Sequence, residues 1–330
     1  MSRRRIRVRT GLAVGALLFA LAAASPALAV ERYALVVSGA SGGDPYGPKY
    51  DNWRVSLLAT LRDTFGYPAD HLFVLAEGES RGVGKATREN VQRALRDLQR
   101  RLTKDDLLLV LLIGHGTSLD GGEDAKFNLV GPDLSAREWS ELLNPIPGRL
   151  IFVDTTAASF PFMQKIAGRG RVVLTATDSA AQQFETVFPE FFVKAFEDPV
   201  ADLDKNGRVS VLEAFGYASA GVRQWYEARG QLPTERPLLD DDGDGLGREA
   251  DNPGPDGTIA SVSYLDPGAP TFVAGDAVLT ALLKRRAELE AEIEDLKARR
   301  SLMPPGQYDA QLEKILLELA RLSAQIRAKS

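Results

Sequence analysis

The chain has 330 residues and no cysteine, which excludes disulfides, Cys-type zinc sites and thiolate catalysis. A chain of this length can bury a sizeable core without such cross-links. Its 40 basic and 45 acidic residues give a formal net charge of -5, and this acidity argues against a nucleic-acid-binding protein.

The first 29 residues have the three parts of a secretory signal peptide. Five arginines between residues 3 and 9 precede an apolar stretch from Gly11 to Ala24, and Ala27-Leu28-Ala29 offers a cleavage site. We expect the mature chain to begin near Val30, with a formal charge of -10 after loss of the five arginines. Export to the bacterial periplasm or beyond it, with no stable membrane span after cleavage, is the expectation, and an uncleaved anchor is the alternative.

Residues 30–198 alternate short apolar runs with helical patterns, which predicts an α/β domain with a mostly parallel sheet flanked by helices. Helices are expected around residues 53–61, 91–98 and 136–143, where apolar residues are spaced by three and four. The predicted strands are residues 33–38, 71–75, 106–113, 149–154 and 171–176.

Residues 199–275 form a second segment, with two acidic loops, a helix at about residues 211–229 and a last strand of the core expected at 259–265. Residues 276–330 carry apolar residues at the spacing of a coiled-coil seam, interrupted by Pro304-Pro305-Gly306. This tail predicts a C-terminal antiparallel helical hairpin that packs on the main domain, on a second copy or on a partner.

A twelve-residue segment before the helix at 211–229 has the pattern of an EF-hand calcium loop. Oxygen-bearing side chains occupy positions 1, 3 and 5, Gly207 permits the sharp turn, and a glutamate closes the loop. The alternative is a solvated acidic loop, but Ca²⁺ is the cofactor that this pattern predicts. The predicted ligands are the side chains of Asp202, Asp204, Asn206, Ser210 and Glu213 and the backbone carbonyl of Arg208.

A second Asp-rich stretch repeats the start of the same pattern. Asp240, Asp242 and Asp244 occupy positions 1, 3 and 5, Leu246 offers a carbonyl at position 7, and Asp251 stands at position 12. No glutamate closes this loop, and a glycine replaces the usual apolar anchor at position 8. The stretch is either a second, looser metal loop or an exposed acidic turn.

Two predicted strands end in residues that can do chemistry. The run 106–113 is followed by Gly114-His115-Gly116, and the run 149–154 leads into Asp154-Thr155-Thr156. Because ligands and catalytic groups collect at the carboxyl ends of parallel strands, we expect His115 and these hydroxyls to share one cleft.

This pair of strand ends resembles the caspase and legumain-like cysteine peptidases, in which a His-Gly after one strand faces a cysteine that ends the next. The resemblance extends over about half of the chain and includes the first strand at Tyr33–Gly39 and the segment Phe127–Val130. It implies a caspase-like sheet, with His115 in the place of the general base and Thr156 in the place of the nucleophile.

A threonine in the nucleophile's place changes the expected chemistry. Its hydroxyl has a far higher pKa than a thiol, so the histidine must remove the proton during attack and an oxyanion hole must be well placed. We therefore expect Thr156 to be a relic, with Ser159 or Thr155 as possible substitutes. Asp154 either orients His115 or caps the next helix.

Other positions also depart from the family pattern. Ser41 stands where legumains have an asparagine that helps to position the histidine, and Ala157–Pro161 replaces a Ser-Gly turn. Asp178 and Glu185, in the segment that forms the family's specificity pocket, would hold a basic group or are simply exposed acids.

Three functional hypotheses follow. The first is an exported, calcium-binding, non-catalytic peptidase homologue that binds a peptide or protein partner through the cleft or the C-terminal hairpin. The second is an active hydrolase that uses Thr156 or Ser159 with His115. The third is a calcium-dependent structural or adhesion module, in which a single unpaired EF-hand favours a structural role over a sensory one.

Overall fold

The computed structural model describes residues 30–267, residues 303–327 and six helical positions between residues 282 and 296. The predicted signal peptide and much of the first arm of the predicted hairpin lie outside the described residues. In the described part of the chain, no helix is both long enough and apolar enough to span a bilayer.

A seven-stranded sheet forms the centre of the fold, with strand order β10-β9-β8-β4-β1-β2-β3. Neighbouring strands are parallel throughout, except that β10 runs antiparallel to β9. This confirms the predicted mostly parallel α/β sheet. Its strands are β1 Arg32–Ser38, β2 Leu72–Ala76, β3 Gly84–Lys85, β4 Leu107–Ile113, β8 Arg149–Asp154, β9 Arg171–Thr175 and β10 Leu238–Asp240.

Helices cover both faces of this sheet. Within residues 30–267 and 303–327, the α-helices are α1 Tyr46–Ala59, α2 Arg88–Arg101, α3 Ala136–Leu143, α4 Phe160–Ile166, α5 Phe188–Ala195, α6 Val211–Glu227 and α7 Pro305–Arg327. Residues of α1, α5 and α6 share one core cluster with Ala34 and Val36 of β1, whereas α2, α3 and α4 share another with Leu35 and Val37. Because side chains alternate between the faces of a strand, these clusters are the two sides of a three-layer structure.

The position of β4 at the centre of the sheet explains why its sequence is a continuous apolar run. All seven of its residues are buried, and it pairs with β1 on one side and β8 on the other. A strand with helices on both faces needs apolar side chains at every position rather than at alternate ones.

A small antiparallel sheet lies between β4 and α3 in the chain. It consists of β5 Gly116–Thr117, β6 Lys126–Phe127 and β7 Leu134–Ser135, paired in that order. The last residue of β7 also starts α3: Ser135 accepts a hydrogen bond from the Glu138 amide, and Glu138 accepts one from the Ser135 amide. This capping box fixes where α3 begins.

The prediction of a last strand at residues 259–265 was wrong. This stretch is a short 3-10 turn, Ala260–Val262, followed by one isolated bridge between Tyr264 and Ser210. The hydroxyls of Ser261 and Ser263 donate to the carbonyls of Thr258 and Ile259, and such local bonds compete with a strand. The sheet ends instead at β10.

The C-terminal tail is helical where it is described. Leu289 and Leu322 are buried together, with Leu282, Ile315 and Leu319 packed against them. The guanidinium of Arg285 also pairs with Glu318, at 2.9 Å. These contacts join the two arms on either side of the proline pair, while the coiled-coil geometry stays a prediction.

Candidate functional site

His115 lies directly after β4, and its ring is held by groups from the β1 side of the sheet. Its Nε2 is 3.0 Å from the Ser41 carbonyl oxygen and 3.2 Å from the Tyr50 hydroxyl. The rings of Tyr46 and Tyr50 pack edge-on against the imidazole. Ser41 thus contacts the histidine through its backbone carbonyl.

The Thr156 side chain is fully buried. Its hydroxyl lies 2.7 Å from Asp154 Oδ1 and 3.1 Å from the Ala157 carbonyl oxygen, both acceptors for its single proton. The Thr156 amide also donates to Asp154 Oδ1, at 3.0 Å. A buried hydroxyl that already donates to its own chain is poorly placed to attack a substrate.

Asp154 is completely buried at the end of β8. Burial raises its pKa to about 7, although the hydrogen bonds from Thr156 act in the opposite direction. Oδ1 accepts both bonds from Thr156, and Oδ2 has no hydrogen-bond partner. Asp154 therefore holds the turn after β8, and its described bonds do not include His115.

The two substitute nucleophiles are also engaged in structural hydrogen bonds. The Ser159 hydroxyl lies 3.0 Å from the Thr177 hydroxyl and accepts a bond from the Thr177 amide at 3.1 Å. The Thr155 hydroxyl donates to the Leu112 carbonyl at 2.7 Å. Both side chains are buried, so they join the ends of neighbouring strands rather than face the solvent.

The turns after β4 and β8 are in close contact. A Cβ at Gly116 would lie 2.0 Å from the Ala157 carbonyl oxygen and 2.5 Å from the Thr156 hydroxyl oxygen. Only glycine permits this approach. The structure therefore places the backbone next to His115 in contact with Thr156, as expected for neighbouring strand ends. The side chains of His115 and Thr156, however, form hydrogen bonds with different partners.

The two acids proposed for a basic group already pair with cations of this chain. Asp178 contacts Arg236 at 3.1 Å, and Glu185 contacts Lys49 at 2.9 Å. Each carboxylate therefore has a neutralising partner before any ligand arrives.

The loop Asp202–Glu213 brings together three of its predicted metal ligands. One carboxylate oxygen from each of Asp202, Asp204 and Glu213 lies within 4.8 Å of the others. Burial, together with the charges of Glu213 and Asp202, raises the pKa of Asp204. Like charges held this closely in a partly buried loop favour a proton or a cation among them.

The backbone of this loop has the turn expected for its sequence. Gly207 has a φ of 86°, and its amide donates to Asp202 Oδ2 at 2.9 Å. The amides of Asn206 and Arg208 donate to Asp202 Oδ1 and to Asn206 Oδ1 respectively. Glycine at position 6 thus takes the left-handed conformation that the calcium loop requires.

The closing residues of the loop coincide with the start of α6. Ser210 caps the helix by accepting the Glu213 amide, and Glu213 Oε2 accepts the Ser210 amide at 2.8 Å. Glu213 Oε1 reaches back to the amides of Leu203 and Asp204, at 2.9 and 3.2 Å. The position-12 carboxylate therefore spans both ends of the loop.

The second Asp-rich stretch follows β10. Asp240, Asp242 and Asp244 each place a carboxylate oxygen within 4.8 Å of the others. The predicted position-12 residue is elsewhere: Asp251 is exposed and pairs with Arg223 on α6 at 3.0 Å. The structure therefore brings together the predicted ligands at positions 1, 3 and 5 but not Asp251.

Sequence reasoning missed Asp256, which lies against this loop. It is 5% exposed, and its Oδ1 accepts the amides of Asp241 and Asp242 at 2.9 and 3.3 Å. It stands outside the twelve-residue pattern, so the ligand spacing gave no signal for it.

No protein-family model matches this chain, and no curated protein matches it. Among solved structures, it is similar to the crystal structure of protein GSU0716 from Geobacter sulfurreducens, a structural genomics target. The two are 14% identical with a TM-score of 0.42, and the match covers 66% of this chain and 97% of the other.

Proposed function

We propose that the protein binds a calcium ion in the loop Asp202–Glu213 and that this ion has a structural role. The observation that carries this proposal is the convergence of Asp202, Asp204 and Glu213 within 4.8 Å, in a loop whose sequence matches the calcium pattern. The ligand atoms are all oxygens, as a hard divalent cation prefers.

The neighbours of the loop support a structural role. Tyr264 accepts a hydrogen bond from the Asn206 side chain at 3.2 Å, and the Arg208 guanidinium lies over its ring at 3.7 Å. Arg208 also pairs with Asp266 at 2.8 Å. An ion in the loop would thus hold α6 and the segment around Tyr264 together.

Calcium titration tests this proposal. We expect the pair Asp202→Asn and Glu213→Gln to abolish binding at this site, whereas Glu227→Gln on the exposed end of α6 leaves it intact. At a calcium concentration one hundred times Kd, binding adds about 3 kcal/mol of stability and raises Tm by roughly 4 °C. Unchanged calorimetric binding in the double variant would remove the proposal.

The second part of the proposal concerns the cleft. We propose that the caspase/legumain-like scaffold is retained here without catalysis, so that the protein works by binding a peptide or protein partner. The burial of Thr156 and the engagement of its hydroxyl by Asp154 support this view. The bonds of His115 to Ser41 and Tyr50 support it too, because a general base must contact the nucleophile's proton.

Two exposed apolar side chains, on the loops after β5 and β9, are candidate contacts for such a partner. Leu119 and Phe184 are 66% and 69% exposed. Their loops are joined by a hydrogen bond from the Gln183 side chain to the Ser118 carbonyl, at 3.4 Å. A contact surface requires such side chains to form one contiguous apolar patch, and the joined loops bring these two onto neighbouring segments.

Assays for hydrolysis test the cleft proposal. We expect no turnover of a mixed peptide library with calcium present, and no labelling by probes that react with serine or threonine nucleophiles. Turnover that disappears in both His115→Ala and Thr156→Ala, while Thr87→Ala stays active, would establish a hydrolase instead. Thr87 provides the matched control because it caps α2, on the other side of the sheet.

The proposal also includes export, because the first 29 residues have the form of a signal peptide. Extracellular and periplasmic calcium would then be available to the loop.

A further inference from the structure

We propose that calcium in the loop Asp202–Glu213 closes a strap, residues 263–267, against the α/β domain. The inference rests on the proposed calcium binding and adds the segment on which the ion acts. The strap follows the 3-10 turn Ala260–Val262, and the chain continues from it into the hairpin segment. A closed strap thus fixes the point from which that segment starts.

Three residues of the loop contact the strap, at positions 5, 7 and 9 of the calcium pattern. The Asn206 side-chain nitrogen donates to the Tyr264 hydroxyl, and the backbone of Ser210 forms a bridge with that of Tyr264. The Arg208 guanidinium lies over the Tyr264 ring and donates to the carboxylate and the carbonyl of Asp266. In the calcium pattern, the same three loop residues offer the ion a side-chain oxygen, a backbone carbonyl and a hydroxyl. Each therefore has one group for the ion and another for the strap.

Other contacts hold the strap on the domain without the ion. Leu265 is fully buried in the core cluster that contains α1, α5 and α6, and its carbonyl accepts the Tyr67 hydroxyl at 3.0 Å. The Ser263 carbonyl accepts the amide of Val211, the first residue of α6, at 2.8 Å. The strap lies outside the helices and the two sheets, so we expect it to open locally while the rest of the domain stays folded.

The ion would control how often the strap opens. Without it, the carboxylates of Asp202, Asp204 and Glu213, which lie within 4.8 Å of one another, repel and loosen the loop. With it, the loop holds its strap-contacting residues in fixed positions. By linkage, the factor by which calcium suppresses opening equals the factor by which the closed strap tightens calcium binding. Coupling of this kind typically amounts to at least about fivefold.

Thiol labelling tests the strap, because the chain has no cysteine of its own. Ser263→Cys reports opening of the strap, and Ser38→Cys in β1 reports unfolding of the domain; the two serines are 5% and 3% exposed. In EGTA, we expect the Ser263→Cys variant to react with a thiol reagent faster than the Ser38→Cys variant does. Saturating calcium should slow the labelling of Ser263→Cys by at least about fivefold.

A matched pair of arginine variants tests the contact made by Arg208. Arg208→Gln keeps the backbone carbonyl for the ion but loses the guanidinium contacts with Tyr264 and Asp266. In the Ser263→Cys background, it should remove most of the effect of calcium on labelling, while calorimetry still detects bound calcium. Arg223→Gln removes an arginine that pairs with Asp251 on the surface, and it should leave the calcium effect intact.

The outcomes separate the strap from the calcium site. No calorimetric calcium binding in the wild type would remove both proposals. Calcium binding with unchanged labelling of Ser263→Cys would overturn the strap and keep the site. Equal labelling of Ser263→Cys and Ser38→Cys in EGTA would also overturn it, because the opening would then be global. Full calcium protection in Arg208→Gln would refute the Arg208 contact. Amide exchange over residues 258–267 of the unsubstituted chain gives a second readout: calcium should slow it, and unchanged exchange would count against the strap.

Discussion

Glu235 caps a helix to which it does not belong, and this makes the stability of the protein depend on pH. The N-cap residue of α5, Val187, has no capping side chain of its own. Glu235 accepts the Val187 amide at 2.8 Å and the Phe188 amide at 3.1 Å, and it is 1% exposed. It thus satisfies amides that the helix leaves without partners.

Burial determines how this carboxyl titrates. It raises the pKa of Glu235 from 4.5 to about 7, even though the amide hydrogen bonds act in the opposite direction. An acid with a higher pKa in the folded than in the unfolded chain stabilises the fold fully below the unfolded pKa. That contribution is lost as the pH rises from 4.5 through about 7, and the difference amounts to about 3 kcal/mol.

The assay is urea unfolding in EGTA at about pH 5 and about pH 8, on the wild type and on Glu235→Gln. Glutamine resembles the protonated acid and does not titrate. As the pH rises, the wild type should therefore lose up to about 3 kcal/mol more stability than Glu235→Gln does. Glu227→Gln removes an exposed acid and should keep the wild-type profile. Equal pH dependence in the wild type and in Glu235→Gln would refute this account of the buried cap.

Two further changes test the packing. Gly116→Ala should lower the free energy of unfolding by about 3 kcal/mol, because its Cβ meets the Ala157 carbonyl. Gly78→Ala is the control, because a Cβ at Gly78 has open space around it, and urea unfolding compares the two variants. Leu322→Ala should lower the local stability of α7 by about 2 kcal/mol and speed amide exchange there, because Leu322 packs with Leu289. Leu317→Ala is the control, because Leu317 is half-exposed. Equal effects within either pair would contradict the contact in question.

The strands that the sequence predicts correctly are those buried on both faces. β4 and β8 consist of apolar runs because the sheet leaves them no solvent side, and such runs are visible without any knowledge of the fold. β10 was missed because it has three residues and leads directly into an acidic loop. Its place is set by pairing with β9, a contact between residues more than sixty positions apart.

The same distinction applies to the site residues. The loop Asp202–Glu213 is local in sequence, so its ligand spacing is readable before folding. Glu235 reaches an amide 48 positions away, and Asp256 reaches one 15 positions away, outside the twelve-residue pattern. Spacing alone pointed to Asp251, which pairs with Arg223 on the surface.

Buried carboxylates order much of the segment between β10 and residue 267, where regular structure is scarce. Asp241, itself 2% exposed, accepts the amides of Gly257 and Ala260 at 2.9 and 2.8 Å. Each such bond fixes a loop that has little apolar surface to bury, but it also places a negative charge near others of the same sign. In a chain without cysteine, a cation bound among such carboxylates, as proposed for the loop Asp202–Glu213, would relieve this repulsion and cross-link the loop. The proposed ion would thus stabilise an acid-rich loop that has little apolar surface and no disulfide to hold it.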